Sequence, residues 1–146
     1  MNSPAKIKLA VNSSIDEEIS TQVNLSIGEN SQFAELTFNG SVSRKLMDDS
    51  FFLLIDHPNF KRNMNAYYDF SDVFIELEMS EIQQHAQFVA SRLNIRGGSY
   101  KLALISNDTL NYALLEIYKL LISNTSVKAK IFHSVKQARL WLSRKA

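Results

Sequence analysis

The chain has 146 residues, of which 45% are hydrophobic and 21% charged, and its formal net charge is +1 at neutral pH. These values are typical of one globular domain with one core, and no apolar run approaches the ~20 residues that a transmembrane helix requires. Because cysteine is absent, disulfides, thiolate catalysis and cysteine metal sites are excluded, and we expect a cytoplasmic protein without a signal peptide or membrane insertion.

The first part of the chain predicts an extension followed by a β-hairpin. Residues 1–20 contain one short alternating pattern and are assigned to an N-terminal strand or extension, separate from a single domain over residues 21–146. Apolar residues alternate again over 23–27 and 33–38, on either side of the turn sequence Gly28-Glu29-Asn30. This pattern predicts two antiparallel strands.

A helix and a strand are expected next. Ser41 or Ser43 is placed to cap a helix from about residue 44 to residue 55, since its side chain would accept a bond from a free N–H of the first turn. The helix should stop near Asp56, because Pro58 disfavours helical geometry in the residue before it. Residues 64–70 then read as a strand rich in aromatic side chains.

The segment after this strand is predicted to be a loop over residues 72–78 and then a helix up to residue 93. Ser80 and Gln83 fit a capping box at the start of that helix. Gly97-Gly98 lies just past its end, where glycine adopts left-handed backbone geometry at low cost.

Residues 102–105 are apolar on both faces, which is typical of a central strand covered on both sides. Asn107 or Asp108 should start the following helix. Its main apolar stripe is expected to be Leu110, Ala113, Leu114, Ile117 and Leu121. A second apolar flank consists of Leu115, Tyr118 and Ile122.

Residues 127–131 predict an edge strand, because Lys128 and Lys130 alternate with apolar residues. Ser134 then caps the final helix. Strands that alternate with helices pair in parallel through right-handed crossovers. The predicted fold is therefore α/β, with a mixed sheet, an N-terminal antiparallel hairpin and about four helices.

Charge is unevenly distributed along the chain. Residues 63–91 hold five acids and no Lys or Arg, whereas seven bases and no acid follow Glu116. In α/β sheets, ligands bind preferentially at the carboxyl ends of the parallel strands. Here we expect these ends at residues 69–71, 106–109 and 133–134. The acids near two of these ends favour a neutral or basic partner over a phosphate. The candidate partner-binding residues are Asp69, Asp72, Glu76, Glu78 and Asp108.

No spacing indicates catalysis. The only imidazoles are His57, His85 and His133, and none has a local nucleophile pattern. Glu81 and His85 share one helix face, but two ligands are too few for zinc, so we interpret them as an exposed pair. Phosphate-binding loops and nucleic-acid recognition motifs are absent. We therefore expect no catalytic residue, no cofactor, no metal and no nucleic-acid partner.

The order of elements, with certain local sequences, resembles a known family. The relevant segments are His57-Pro58-Asn59-Phe60, Tyr68-Asp69-Phe70, the apolar strand before Ser106-Asn107-Asp108, and the closing segment from Ile131-Phe132-His133 to Leu142. From about residue 33 to 142 the chain resembles the SpoIIAA-like branch of the STAS superfamily, which includes anti-sigma-factor antagonists and stand-alone bacterial proteins. The resemblance implies a non-enzymatic regulatory module that binds a protein partner or forms a homodimer.

Two further expectations follow from the resemblance. Antagonists of this superfamily are switched by serine phosphorylation, and Ser80 is the matching position, although Leu77–Glu81 has no glycine and one serine where the family has an Asp-Ser-Ser-Gly-type loop. The alternative function is binding of a small apolar or lipid-like ligand, as in Sec14-like domains. An enclosed pocket above about 300 Å³ between helix and sheet would favour this alternative.

Overall fold

A computed structural model describes residues 22–144. The strands are β1 (Val23–Ser26), β2 (Phe33–Val42), β3 (Asn65–Ile75), β4 (Lys101–Ile105) and β5 (Lys128–Phe132). The helices are α1 (Arg44–Ile55), α2 (Met79–Ala90), α3 (Leu93–Arg96), α4 (Thr109–Leu121) and α5 (Val135–Ser143). No helix in this part of the chain is long and apolar enough to cross a membrane. The strand or extension predicted within residues 1–20 lies outside the described residues.

The five strands form one sheet in the order β1-β2-β3-β4-β5. β1 and β2 are antiparallel, with Val23 opposite Phe38, which confirms the predicted hairpin. The remaining three pairings are parallel, as expected for strands separated by helices. β5 is an edge strand and β4 lies between β3 and β5, as predicted. The α/β class with a mixed sheet is therefore confirmed, and the one-turn helix α3 is added to the expected helices.

The helices cover the two faces of the sheet unequally. α1, α2 and α4 pack side by side on one face, whereas α5 crosses β3, β4 and β5 on the other. Leu102 and Leu104 therefore belong to a large core under three helices, and Ala103 and Ile105 belong to a smaller core under α5. This split follows from the alternation of side chains along a strand. The three-helix side holds the candidate site.

β3 continues to Ile75, five residues further than predicted. The loop predicted over residues 72–78 is therefore wrong for residues 72–75, which belong to the strand. Between the pairs Thr37–Asp69 and Asn39–Asp72, β2 advances two residues and β3 advances three. β3 therefore carries a bulge, which reverses the face that its alternate residues occupy. This reversal interrupts the apolar alternation and makes a continuous strand resemble a strand followed by a loop.

The start of α2 also differs from the prediction. Glu78 is the N-cap residue, and its backbone N–H donates to the side chain of Glu81 at 2.9 Å. The capping box predicted at Ser80 is therefore wrong, because Ser80 is already the second residue of the helix and is exposed. α2 ends at Ala90, and α3 follows after a short turn. Gly97 ends α3, which confirms the prediction that the glycine pair marks a helix stop.

The buried face of α4 is the flank that was predicted as secondary. Leu115 and Ile122 are buried, whereas Leu110 of the expected main stripe is 58% exposed. The helix is rotated in this way because Asn111, which is 2% exposed, points inwards and bonds to β3. A polar residue thus sets the orientation of the helix.

The helix caps give a first test of these assignments. The backbone N–H of Asn111 donates to Asp108 Oδ2 at 2.9 Å, so Asp108→Ala should lower the free energy of unfolding by ~1 kcal/mol. Ser80→Ala should change it by less than about 0.5 kcal/mol, because an exposed position without a capping role tolerates substitution. Urea denaturation of both variants measures the difference. A larger loss for Ser80→Ala than for Asp108→Ala would contradict the assigned start of α2.

Candidate functional site

A cavity of about 60 Å³ lies between the sheet and the layer of α1, α2 and α4, and it is partly open to solvent. Most of its wall is apolar, with contributions from Val42, Met47, Phe70, Val89, Leu104 and Leu115. The volume is below the 300 Å³ set above as support for a ligand pocket. Since one buried water needs roughly 10–15 Å³, the cavity has room for a small molecule or for a few waters.

Five polar side chains line the same cavity: Tyr68, His85, Arg96, Tyr100 and Tyr118. They come from four different parts of the fold, which are β3, α2, the end of α3 with the start of β4, and α4. The flank of α4 that includes Leu115 and Tyr118 therefore faces the cavity. A few polar groups within an apolar wall are typical of small-molecule sites.

Arg96 is the most unusual of these residues, because it is charged and only 2% exposed. Its Nη2 donates to the backbone oxygen of Met64 at 2.5 Å. Its Nη1 is buried and has no hydrogen-bond partner, and none of the Asp or Glu residues between 22 and 144 forms an ion pair with it. The ring of Tyr100 stacks on the guanidinium at 3.7 Å. Burial lowers the pKa of Arg96, and the neighbouring tyrosines oppose this effect.

The three tyrosines surround Arg96 electrostatically. Burial raises the pKa of Tyr68, Tyr100 and Tyr118, and the positive charge of Arg96 opposes that rise in each case. Their hydroxyl groups therefore stay protonated at neutral pH and can donate hydrogen bonds. Together with Arg96, they form a cluster of donors without an anion among the described residues.

His85 contributes a second polar feature. It is 6% exposed, and its Nδ1 lies 2.7 Å from Asp48 Oδ1 on α1. The expected exposed pair with Glu81 is therefore wrong, because His85 faces inwards and Glu81 bonds to the backbone of Glu78 instead. The carboxylate of Asp48 fixes the orientation of an imidazole at the wall of the cavity.

Arg96 and Tyr100 lie at the end of the sheet opposite to the one predicted. Met64, which accepts from Arg96, immediately precedes β3, and Tyr100 immediately precedes β4. These positions are the amino ends of parallel strands, whereas the sequence predicted a binding site at the carboxyl ends. No cluster of three or more metal-binding side chains occurs in residues 22–144.

The predicted partner-binding carboxylates lie outside the cavity. Asp69 is inside β3, not at its end, and its Oδ1 accepts from the Ser71 hydroxyl at 2.6 Å. Since its neighbours Tyr68 and Phe70 line the cavity, Asp69 points to the opposite face of the sheet. The strand end predicted at residues 69–71 is therefore wrong.

The other four carboxylates are exposed near the carboxyl ends of the strands. Asp72 is in the extended part of β3, and Glu76 follows that strand. Glu78 and Asp108 are the N-cap residues of α2 and α4. Ser80, the candidate phosphoacceptor, is exposed in the first turn of α2. The residues are thus accessible to a partner, but none of them lines the cavity.

His57 and His133 are separate from the site. His57 Nδ1 accepts from the backbone N–H of Asn59 at 2.9 Å, and His133 is exposed and stacks on Tyr112. Burial lowers the pKa of His57 from its usual 6.5. The folded protein therefore holds His57 neutral, with the unprotonated Nδ1 as an acceptor.

This arrangement makes stability depend on pH. Below about pH 6.5 the unfolded chain binds a proton at His57 before the folded chain does, so the free energy of unfolding should fall as the pH decreases from 7 towards 5. His57→Gln should reduce this decrease relative to the wild type. Urea denaturation at pH 7, 6 and 5 measures both proteins. An undiminished decrease in His57→Gln would contradict the assignment.

Sequence reasoning missed Arg96, Asp48 and the inward orientation of His85. An arginine near a helix end normally favours the C-terminal dipole from a solvated position, so nothing local marks Arg96 as buried. The Asp48–His85 pair joins residues 37 positions apart. Only the packing of α1 against α2 creates it.

Comparison with known proteins identifies the fold. No family profile matches the sequence, and no curated protein matches it. Among solved structures, the chain is similar to an uncharacterized protein of the DUF3478 family with a SpoIIAA-like fold from Shewanella loihica PV-4. The TM-score is 0.54 at 12% identity, over 82% of this chain and 91% of the other. The fold is therefore SpoIIAA-like, as the resemblance implied, and at this identity the similarity concerns the fold alone.

Proposed function

We propose that the chain is a non-enzymatic, cytoplasmic STAS-type module that binds a small apolar molecule in the cavity under α1, α2 and α4. The observation that supports this function is the partly open, apolar cavity with Arg96, Tyr68, Tyr100 and Tyr118 among its lining residues. Its volume of about 60 Å³ restricts the occupant to a small molecule, or to a short apolar chain that extends through the opening.

The apolar part of the wall favours contact with a hydrocarbon group. Cores are normally packed with few voids, and apolar cavities remain dry and take up apolar molecules. Here Val42, Phe70 and Leu104 offer apolar contact from the sheet, and Val89 and Leu115 offer it from the helices. Transfer of a short hydrocarbon chain from water into this space removes its apolar surface from solvent, at roughly 25 cal/mol per Å².

An uncharged probe tests the proposal. 1-Hexanol should bind to the full chain and shift the NMR signals of cavity residues, and Leu115→Phe should abolish these shifts by filling the space. Leu120→Phe is the matched control, because Leu120 lies on the same helix but is 72% exposed. Circular dichroism establishes that both variants are folded. Unchanged binding of 1-hexanol by folded Leu115→Phe would contradict a ligand site at this position.

A second candidate function is docking of a protein partner, as in anti-sigma-factor antagonists. Residues 69–81 form an acidic segment with five carboxylates and no Lys or Arg. Two large apolar side chains are exposed within it, since Phe74 is 56% and Met79 is 51% exposed. Exposed apolar residues bordered by Asp72, Glu76 and Glu78 resemble the centre and rim of a protein interface. Phosphorylation of Ser80 would add about −1.5 to −2 charges beside this segment and so weaken binding of an acidic partner.

Pull-down from native lysate tests this second candidate. Changing Asp72, Glu76 and Glu78 to Ser should reduce recovery of a partner, because rim charges steer association. The same change at Asp49, Asp56 and Glu116, which lie on α1, just after α1 and on α4, serves as the control for altered net charge. Equal recovery with both sets would exclude the acidic segment as the docking surface.

A further inference from the structure

We propose that the ligand of the cavity is a small monocarboxylate whose head group pairs with Arg96. This inference rests on the proposed function, since it assigns the ligand class of the same site. It depends on the burial of Arg96, on the absence of a counter-ion for it among residues 22–144, and on its being the only Arg or Lys in the cavity wall.

The charge of Arg96 is buried without an acidic partner among residues 22–144. At 2% exposure the guanidinium is withdrawn from water, and a buried charge without a partner is strongly unfavourable. One hydrogen bond to Met64 and stacking on Tyr100 compensate for part of this loss. Nη1 remains unpaired, so the guanidinium retains donors for an anion.

The geometry and charge of the guanidinium select the kind of anion that can bind. A guanidinium presents its N–H groups in a planar fork that matches a carboxylate or a phosphate. Arg96 is the only Arg or Lys among the residues that line the described cavity, and the other basic residue of the wall, His85, is paired with the Asp48 carboxylate. A doubly charged phosphate ester would leave one negative charge unpaired in this wall, whereas a carboxylate would be neutralised. The single cation therefore favours a monocarboxylate.

The three tyrosines supply neutral hydrogen-bond donors near Arg96. Tyr68, Tyr100 and Tyr118 are the groups that interact electrostatically with Arg96, and all three line the cavity. Because their hydroxyls remain protonated, they supply neutral donors for the carboxylate oxygens that the guanidinium leaves free. The apolar wall of Leu104, Val89 and Leu115 then accommodates the hydrocarbon part of the same molecule.

The test compares three probes with one hydrocarbon chain and different heads, namely hexanoate, 1-hexanol and hexylammonium. The full-length protein should bind hexanoate about tenfold or more tightly than 1-hexanol in calorimetric or NMR titrations, as expected for a charge-assisted bond, and it should not bind hexylammonium measurably. Hexanoate should also shift the guanidinium ¹⁵N signal of Arg96, and 1-hexanol should not.

Variants assign the preference to one residue. Arg96→Met should bind hexanoate and 1-hexanol equally, whereas Arg92→Met should retain the wild-type preference, because Arg92 stacks on Phe88 and does not line the cavity. If folded Arg96→Met still prefers hexanoate, or if hexanoate leaves the Arg96 signal of the wild type unchanged, the inference is wrong. Should 1-hexanol bind and hexanoate bind no better, the proposed function stands and the carboxylate is excluded. Binding of neither probe would contradict the proposed function itself.

Discussion

Gly97→Ala is expected to lower the free energy of unfolding by about 2–4 kcal/mol. Gly97 has a φ of +104°, which side-chain-bearing residues rarely adopt. A Cβ atom at this position would collide with the backbone N and the side-chain oxygen of Asn63 and would lie 2.7 Å from its Cα. Asn63 has little room to move, since its backbone N–H donates to Arg96 O at 2.9 Å.

Gly98→Ala is the matched control for this prediction. A Cβ atom on Gly98 would have no neighbour within 4 Å, so its free energy of unfolding should stay within about 0.5 kcal/mol of the wild type. Urea denaturation measures both variants. If Gly97→Ala is as stable as Gly98→Ala, the close approach of residues 63 and 97 beside Arg96 is wrong.

Asn111→Ala should have the second largest effect, a loss of about 2–3 kcal/mol. β3 extends beyond the end of β4, so part of its edge has no neighbouring strand. The side chain of Asn111 replaces that strand, because Nδ2 donates to Val73 O at 3.0 Å and Oδ1 accepts from Ile75 N–H at 3.4 Å. Alanine would leave two backbone groups without partners in a buried place.

The control for Asn111 is Asn107→Ala, in the exposed loop before the same helix. It should change the free energy of unfolding by less than about 0.5 kcal/mol. Amide hydrogen exchange adds a local measurement, since the N–H of Ile75 should exchange faster in Asn111→Ala than in the wild type. Equal exchange rates would show that Asn111 does not support the extended part of β3.

Elements with strong local signals were predicted correctly from the sequence. Ser43 caps α1, with the backbone N–H of Leu46 donating to its side chain at 3.2 Å, and α1 spans the residues expected from its apolar spacing. The hairpin, the central position of β4 and the edge position of β5 also follow from periodicity and lysine placement. In each case the residues that define the element are close together in sequence.

The errors have a common physical cause, which is that tertiary contacts overrode local patterns. A bulge hides the continuation of β3 because it reverses the alternation on which strand prediction depends. Asn111 lies outside both apolar stripes predicted for its helix, but its side-chain amide is buried and bonds to the edge of β3 in place of a strand.

The candidate site was the least predictable part. Binding of a small ligand was considered from the sequence as an alternative function, but the polar cluster was not predicted. Arg96, Tyr68 and Tyr118 are distant in sequence and line one cavity only when α3 and α4 pack against the sheet. Single-sequence patterns carry no information on such a meeting, because each residue alone has an ordinary local explanation.

A crystal structure of the protein grown with 6-bromohexanoate would locate the ligand directly. We expect an anomalous bromine signal between the sheet and α1, α2 and α4, and a carboxylate within hydrogen-bond distance of Arg96 Nη1. Bromine bound only on the outer surface, with no carboxylate at Nη1, would show that the cavity does not bind the carboxylate.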